Sequence, residues 1–448
     1  MAKYIYLPIE IKNREFMAKV ICAFKLADAG YKIIVGKSTE VEKLCMMGPK
    51  GVYIGTSIVK QHRILFEKLQ RNQQQIVAVD EEGLVYYNKE HFVKHRVDEK
   101  TINQIDAFFT WGEHHRQLVK SKCPQYMDKI FSVGNIRMEL LKRKYRMLFK
   151  TEADILREKH GKYILLNTNF AAYNHYKNSE TYKNDVKSFI EVGEKEQKLV
   201  NDKIEHQRIT FDEFASLAKK IKTMLPDYKV VVRPHPSENR NRWLEKLQGT
   251  DVEVIHEGNV IPWIMSASCV IQQNCTTAIE AVCVETPVYS FLPTYDVRFD
   301  DGLPNKVVPI FYNQSDVLNA IKKVIEKPEC YEEILRTQTK EKLQDYIDNL
   351  DEKDTFEAYE KILSGLVKET TMFNSWNLLK FKYFLYEKIS LLLNKKKRGL
   401  QEYFKHKYPD TPIEEWNELK EKCKKNGMNF GEVHLISLAP NSYLVEKR

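Results

Sequence analysis

A chain of 448 residues is too long for one ordinary hydrophobic core, and its 43% hydrophobic and 30% charged residues mark it as globular rather than disordered. The formal charge of +9 suits an anionic ligand or an anionic membrane surface, and equally a generally basic exterior. Nucleic acid is not an expected partner, because Lys and Arg are spread along the whole chain and no nucleic-acid-binding motif occurs.

In chain order, residues 3–9 alternate as a buried strand, and residues 15–29 carry Phe16, Val20, Ile21, Phe24 and Leu26 at helical spacing until Gly30 ends the pattern. Strands follow at Tyr31–Val35 and Val52–Ile54, with helices at Glu40–Met47 and Ile64–Gln70. Gln75–Val79 is a strand that delivers Asp80-Glu81-Glu82-Gly83. Ala107–Thr110 leads into Trp111-Gly112-Glu113, and Ile130–Val133 into Gly134-Asn135-Ile136-Arg137. This alternation of strand and helix predicts a doubly wound parallel sheet.

The basic, helical stretch 138–160 reads as a linker, and a second series opens at Tyr163-Ile-Leu-Leu-Asn167. Residues 176–222 predict a polar helical arm, with a packed helix over Phe211–Met224. Then come strands ending at Arg233, at Ile255, at Gln272 and at Phe291, with helices at Val260–Ala267 and Thr277–Val284. The expected fold class is α/β of GT-B type, two Rossmann-like doubly wound domains facing a central cleft, over 1–150 and 161–365, plus a helical C-terminal appendage over 366–448. In that appendage, aromatic and aliphatic residues interleave with Lys over 373–393, ahead of Lys395-Lys-Lys-Arg398. Such a basic amphipathic helix either lies on an anionic bilayer or packs its apolar face back on the domains.

The eight cysteines include no CxxC and no Cys/His pair at zinc spacing; Cys269, Cys275 and Cys283 sit in apolar surroundings and read as small core residues. A reducing compartment is expected. The chain runs directly into a strand, and no apolar run approaches the roughly 18 residues that a spanning helix needs. The expected location is cytoplasmic, peripheral at the inner face of the membrane if the appendage binds lipid.

Three features carry candidate chemistry. In Arg233-Pro-His-Pro236 the two prolines forbid a regular ladder and hold Arg233 and His235 in a rigid turn at a strand's carboxyl end, where open α/β sheets bind ligands. An Arg and a His there suit phosphate: the guanidinium donates, and the imidazole donates to or protonates a departing phosphate. The alternative is a structural histidine. The second feature is Asn274-Cys-Thr-Thr-Ala-Ile-Glu280, where Thr276 and Thr277 fall at a helix start and Glu280 lies one turn further on the same face, placed to accept from ribose hydroxyls. A Thr277–Glu280 capping box is the structural alternative. The third is the carboxylate run Asp80-Glu81-Glu82, costly after an apolar strand unless solvated, paired or used. Asp80, nearest the strand, is the candidate nucleophile or general base, with Glu81 beside it. Glu10, Arg14, Glu113, Asn135 and Arg137 are candidate sugar or acceptor ligands at the same sheet edge. No Walker loop, GxGxxG after the first strand, HExxH, GxSxG or Asp-x-Asp occurs, so no metal and no cofactor is expected.

Leu7-Pro-Ile-Glu-Ile-Lys-Asn-Arg-Glu-Phe16, Asp80-Glu-Glu-Gly-Leu84, Trp111-Gly-Glu113, Gly134-Asn-Ile-Arg137, Arg233-Pro-His-Pro236 and Gln273-Asn-Cys-Thr-Thr-Ala-Ile-Glu-Ala281, in this order over roughly residues 3–300, resemble the bacterial surface carbohydrate biosynthesis protein family. That family is similar to the capsule and O-antigen Kdo transferases and, more distantly, to sialyltransferases of GT-B fold. The resemblance implies a glycosyltransferase that takes a CMP-activated 2-keto-3-deoxy sugar, Kdo or a nonulosonic acid, to a glycan or lipid-linked glycan acceptor. It places the CMP phosphate on His235 and the Asn274–Thr277 turn, the ribose on Glu280, and Asp80 beside the anomeric carbon. A CDP-polyol phosphotransferase of teichoic-acid type, a nucleotide-sugar epimerase, or a non-catalytic nucleotide-binding subunit of an assembly complex are the competing expectations.

Overall fold

The computed structural model describes the chain apart from residues 87–88, 178–181, 184–192, 335–339, 349, 351–352, 394–406, 429 and 448. The chain forms two compact units, one from residues 1–83, 96–140 and 345–448, the other from 84–95 and 141–344.

The first unit is built on apolar runs buried on both faces, which is how parallel strands covered by helices read. They are β1 (Lys3–Ile9), β2 (Tyr31–Lys37), β3 (Val52–Gly55), β4 (Gln75–Val79), β5 (Ala107–Thr110) and β6 (Ile130–Ser132). They pair in parallel in the order β2-β1-β3-β4-β5-β6. The helix Lys12–Asp28 returns the chain from β1 to β2 and buries Phe16, Val20, Ile21 and Phe24.

The tail adds to this unit more than helices. Strands β13 (Val433–Ala439) and β14 (Ser442–Lys447) form a hairpin whose second strand pairs antiparallel with β2, from Ser442 opposite Gly36 to Val445 opposite Ile33. Gly36 is required there: its φ is +148°, and a Cβ would lie 2.2 Å from the Asn441 carbonyl oxygen. Trp416, fully buried, meets Phe16 edge-on at 5.0 Å and fixes the helix Ile413–Lys425 to the unit. The helix Trp376–Leu393 packs one face on this unit, the second of the two arrangements expected of it, and leaves another face outward. Leu379 and Tyr383 pack inward, with the Tyr383 hydroxyl on Glu40, while Leu378, Phe381, Leu385 and Ile389 form an outward stripe at i, i+3, i+7 and i+11. The Lys395–Arg398 run lies outside the described residues.

The second unit is a six-stranded, all-parallel sheet of β7 (Tyr163–Asn167), β8 (Lys229–Arg233), β9 (Val252–Val254), β10 (Cys269–Gln272), β11 (Val288–Phe291) and β12 (Ile310–Phe311). Its order is β12-β11-β10-β7-β8-β9. The expected arm and packed helix include one continuous helix, Glu194–Met224, whose buried residues begin only at Gln207. Phe211 from it meets Trp243 at 4.1 Å, and Phe170 sits beside Phe214 at 5.3 Å. This aromatic cluster backs the turns that follow β7 and β8.

Candidate functional site

In the second unit the strand order, counted from β7, is 3-2-1-4-5-6, which puts a topological switch point between β7 and β10, the place where open α/β sheets form a ligand crevice at the strands' carboxyl ends. Four residues pair in register along this edge: Arg233 with Asn167, Asn167 with Gln272, and Gln272 with Ser290. Paired positions on parallel strands point to one face, so these form a polar row across four strands. Gln272 donates to Ser290 and to Asn305 Oδ1 at 3.2 Å, and accepts from the Cys275 amide at 2.8 Å. Arg233 donates to the carbonyls of Glu257 and Gly258, each at 2.7 Å, with its guanidinium 5.8 Å from the Trp263 ring centre. Burial pulls its pKa down to about 10, with Tyr163, Glu257 and Glu280 opposing. Through these bonds the Arg233 guanidinium, expected as a phosphate donor, fastens the loop after β9. Asn167, 2% exposed in the middle of the row, makes no side-chain hydrogen bond through either amide atom among the described residues.

The Pro234–Pro236 turn is held by a carboxylate that sequence reasoning did not single out. Buried Glu238 accepts from the backbone amides of His235 and Phe170, both at 3.1 Å, from Thr168 Oγ1 at 2.7 Å and from Trp243 Nε1 at 2.9 Å. Burial pushes its carboxyl up despite these donors. Its place three residues after His235, inside the same short run, was the available signal. His235 is half-buried, and its Nδ1 accepts from the Ser237 amide at 3.2 Å. An accepting Nδ1 puts the neutral ring's proton on Nε2, making that atom a donor.

The third wall differs from the expected capped helix. Asn274 takes φ +48° and turns its side chain inward: Nδ2 donates to the Phe299 carbonyl and to Asp300 Oδ1, and Oδ1 accepts from Asn305 at 2.8 Å. What Asn274 offers the crevice is backbone, since its carbonyl accepts from Asn169 at 3.2 Å and ties the turn after β7 to the turn after β10. Thr276 is helical in backbone and makes no side-chain cap, and no Thr277–Glu280 capping box forms. Thr277 Oγ1 is buried, with the Cys275 thiol as its polar neighbour. Glu280 is 6% exposed and within electrostatic reach of Arg233. Asn167 thus brings buried polar atoms without partners among the described residues to the β7 end, and Thr277 a buried hydroxyl beside the Cys275 thiol to the β10 end.

In the first unit the order β2-β1-β3-β4-β5 places the switch between β1 and β3. There Glu15 accepts from the amides of Glu10 and Ile11, and Lys19 bridges Glu15 at 2.9 Å and Glu81 at 3.1 Å. Arg137 lies 4.0 Å from Glu81, and Arg14 pairs with Glu15 at 3.0 Å. Asp80 is 1% exposed and takes two hydrogen bonds from Arg96; burial would raise its carboxyl, but Arg96 holds it below the usual range. The Asp80 carboxylate, expected as a nucleophile, is enclosed in this structure and orients Arg96. Glu81 is likewise buried, 6% exposed, in its contact with Lys19. Of the other expected ligands, Glu10 is half-buried and paired with Lys407 at 2.7 Å. Glu113 is exposed and bonded to Arg116 and Gln117 of its own helix, and buried Asn135 caps the helix that carries Arg137. Arg14, Asp80, Glu81 and Arg137 are brought into one network; Glu113 is not.

Among the described residues no group of three or more His, Cys, Asp and Glu gathers where a metal could be held, and no helix is long and apolar enough to cross a membrane.

No family model matches the chain, and no curated protein matches it. Solved structures do. The UDP complex of S. aureus MnaA is similar over 84% of this chain and 100% of its own, at 13% identity and TM-score 0.50. A variant of the wall teichoic acid polymerase TagF soaked with CDPG is similar over 81% and 88%, at 11% identity and TM-score 0.50. A candidate UDP-N-acetylglucosamine 2-epimerase from Listeria monocytogenes is similar over 83% and 97%, at 12% identity and TM-score 0.50. With the two parallel sheets, these likenesses identify the fold as GT-B.

Proposed function

We propose that this chain is a metal-independent glycosyltransferase that moves a 2-keto-3-deoxy sugar, Kdo or a nonulosonic acid, from a CMP-activated donor to a glycan or lipid-linked glycan acceptor of the cell surface. The observation that carries the reading is the crevice at the β7/β10 switch point, where a donor-tautomer His235, the Asn167 carboxamide and the Thr277 hydroxyl meet one sheet edge. Buried polar groups are ordinarily hydrogen-bonded, so a nucleotide phosphate and ribose account for these atoms better than an apolar ligand would. In the transfer, an acceptor hydroxyl oxygen forms a bond to the anomeric carbon and gives up its proton to solvent, while the bond between that carbon and the phosphate oxygen breaks and its electron pair leaves with CMP. His235 Nε2–H donates to that oxygen, charge stabilisation that a monophosphate leaving group can take from a side chain in place of a metal. Glu280 is assigned to the ribose hydroxyls, and Arg233 and Asn274 hold the walls. The first unit, with Arg14, Arg137 and the 80–82 turn at its own switch point, is assigned to the transferred sugar and the acceptor.

The outward stripe of the helix Trp376–Leu393, with Lys380, Lys382 and Lys388 along it, supports a peripheral location on an anionic membrane surface. The donor assignment is tested by thermal shift with CMP, UDP and CDP-glycerol in EDTA. Stabilisation by CMP is expected; stabilisation by UDP without CMP would replace it with an epimerase-type reading, and stabilisation by CDP-glycerol alone with a polyol-phosphate transferase.

A further inference from the structure

The turn after β4 carries one carboxylate that neither the buried network nor the fold accounts for. Glu82 has 60% of its side chain exposed, yet it stands between two arginines, 3.2 Å from Arg96 Nη1 and 3.7 Å from Arg14 Nη1. Each arginine is fixed from behind by a fully enclosed acid. Asp80 takes the Nε and Nη2 donors of Arg96, and Glu15 takes the Nη2 of Arg14, which leaves the Nη1 of each directed at Glu82. The guanidiniums are therefore pre-oriented and remain charged whether Glu82 is there or not. The local charges tell the same story. Arg14, Lys19, Arg96 and Arg137 face Glu15, Asp80, Glu81 and Glu82, a balance that holds only with Glu82 counted; without it one positive charge is left over.

The turn has the means to let go. Asp80 and Glu81 are anchored, but Glu82 touches its partners only through an exposed side chain, and exposed pairs contribute little. The backbone is tight because Gly83 lies against His115, where a Cβ would come within 2.3 Å of the ring. A side-chain rotation at Glu82 thus frees the two Nη1 groups without disturbing the chain. The place is the β1/β3 switch-point edge, where open α/β sheets receive ligands.

We infer that Arg14 and Arg96 form a carboxylate-binding site in which Glu82 is an internal stand-in, displaced when the carboxylate of a sugar acid arrives. Arginine pairs planar carboxylates in fixed geometry, which makes an acidic sugar, rather than a neutral hexose, the fitting occupant. Naming that occupant as the sugar moved by the enzyme rests on the transferase reading above; the two-arginine site itself does not.

The experiment titrates Kdo and N-acetylneuraminate, each alongside its methyl ester, into the full chain and its Glu82→Gln and Glu82→Ala variants, with CMP in parallel. At least one sugar acid is expected to bind fivefold or more tightly to both variants than to the unaltered chain, with no gain for the ester. Adding Arg14→Gln to Glu82→Gln should remove the gain. Unchanged or weaker binding of both acids in the Glu82 variants, or an equal gain for the esters, overturns the inference. The CMP arm keeps the two ideas apart: loss of the acid effect with CMP still binding defeats the stand-in alone, whereas absence of CMP binding with the acid effect intact defeats the transferase reading alone.

Discussion

Asn167 and Gln272 occupy paired positions on β7 and β10 and face the same way, yet the Gln272 carboxamide is hydrogen-bonded through both ends and the Asn167 carboxamide through neither. A buried amide without partners costs about 1–3 kcal/mol, a penalty usually retained only where a ligand or solvent atom bonds it. Asn167→Ala should therefore leave the free protein as stable as before, within about 1 kcal/mol, while weakening CMP about tenfold or more, the cost of a lost hydrogen bond in a closed site. Calorimetric titration alongside urea unfolding checks both halves. A loss of stability with unchanged affinity would make Asn167 a framework residue.

His235 is predicted to act on the leaving phosphate through Nε2. His235→Ala should lower turnover about 10²- to 10³-fold, the usual span for a lost hydrogen-bond donor to charge developing in the transition state. His235→Gln, whose amide can donate from a similar place, should recover CMP affinity more than rate. Steady-state kinetics against donor concentration separates the two; equal recovery of both would assign His235 to binding alone.

Asp80→Asn tests whether that carboxylate is a structural partner or a nucleophile. As the enclosed partner of Arg96 it should cost about 1–3 kcal/mol of stability, less than a fully buried pair because Arg96 is partly exposed, and leave CMP binding intact. Chemical unfolding of the variant is the measurement. A variant of full stability that nevertheless forms no product would return Asp80 to the nucleophile's role.

Strands β1 to β11 were legible as short apolar runs at α/β spacing, whereas β12, only Ile310–Phe311, was too short to read. The β13–β14 hairpin was not legible either. Val433–Ala439 alternates imperfectly, and its place is set by Gly36 and Asn441, some four hundred residues apart in the chain. The candidate site divides in the same way. His235 was visible from two flanking prolines, a local constraint. The enclosure of Asp80 depends on Arg96, sixteen residues on, and that of Asn274 on Asn305, thirty-one residues on. No local pattern carries such pairings, so the sequence left Asp80 and Asn274 as solvent-facing ligands.

Glu42 makes stability depend on pH. Burial, with Glu10 and Glu40 adding to it, pushes its carboxyl up to about 7, against Lys43 and a Tyr53 hydroxyl that favour the charged form. A raised folded-state pKa stabilises the protonated form, so this contribution is complete below the unfolded value near 4.5 and is lost as pH rises through about 7. Glu42→Gln should thus gain stability relative to the unaltered chain between pH 5 and about 8. Thermal melts across that range read it, and a difference that does not grow with pH would deny the shift.

The outward stripe on the helix Trp376–Leu393 predicts lipid binding by the full chain. Vesicles rich in phosphatidylglycerol should carry it in flotation, neutral phosphatidylcholine vesicles far less. Replacing Phe381, Phe384 and Ile389, each more than half exposed, with Ser should abolish flotation without loss of fold. Flotation unaffected by the triple substitution would place the lipid contact elsewhere.

The account turns on a nucleotide monophosphate leaving from the β7/β10 crevice, and release of CMP from CMP-Kdo and from a CMP-nonulosonate in EDTA, followed by phosphorus NMR, tests that most directly. Release above the enzyme-free rate, insensitive to EDTA and lost in His235→Ala, is the predicted result. Turnover of a UDP- or CDP-linked donor with both CMP-sugars left at their spontaneous rate would contradict it.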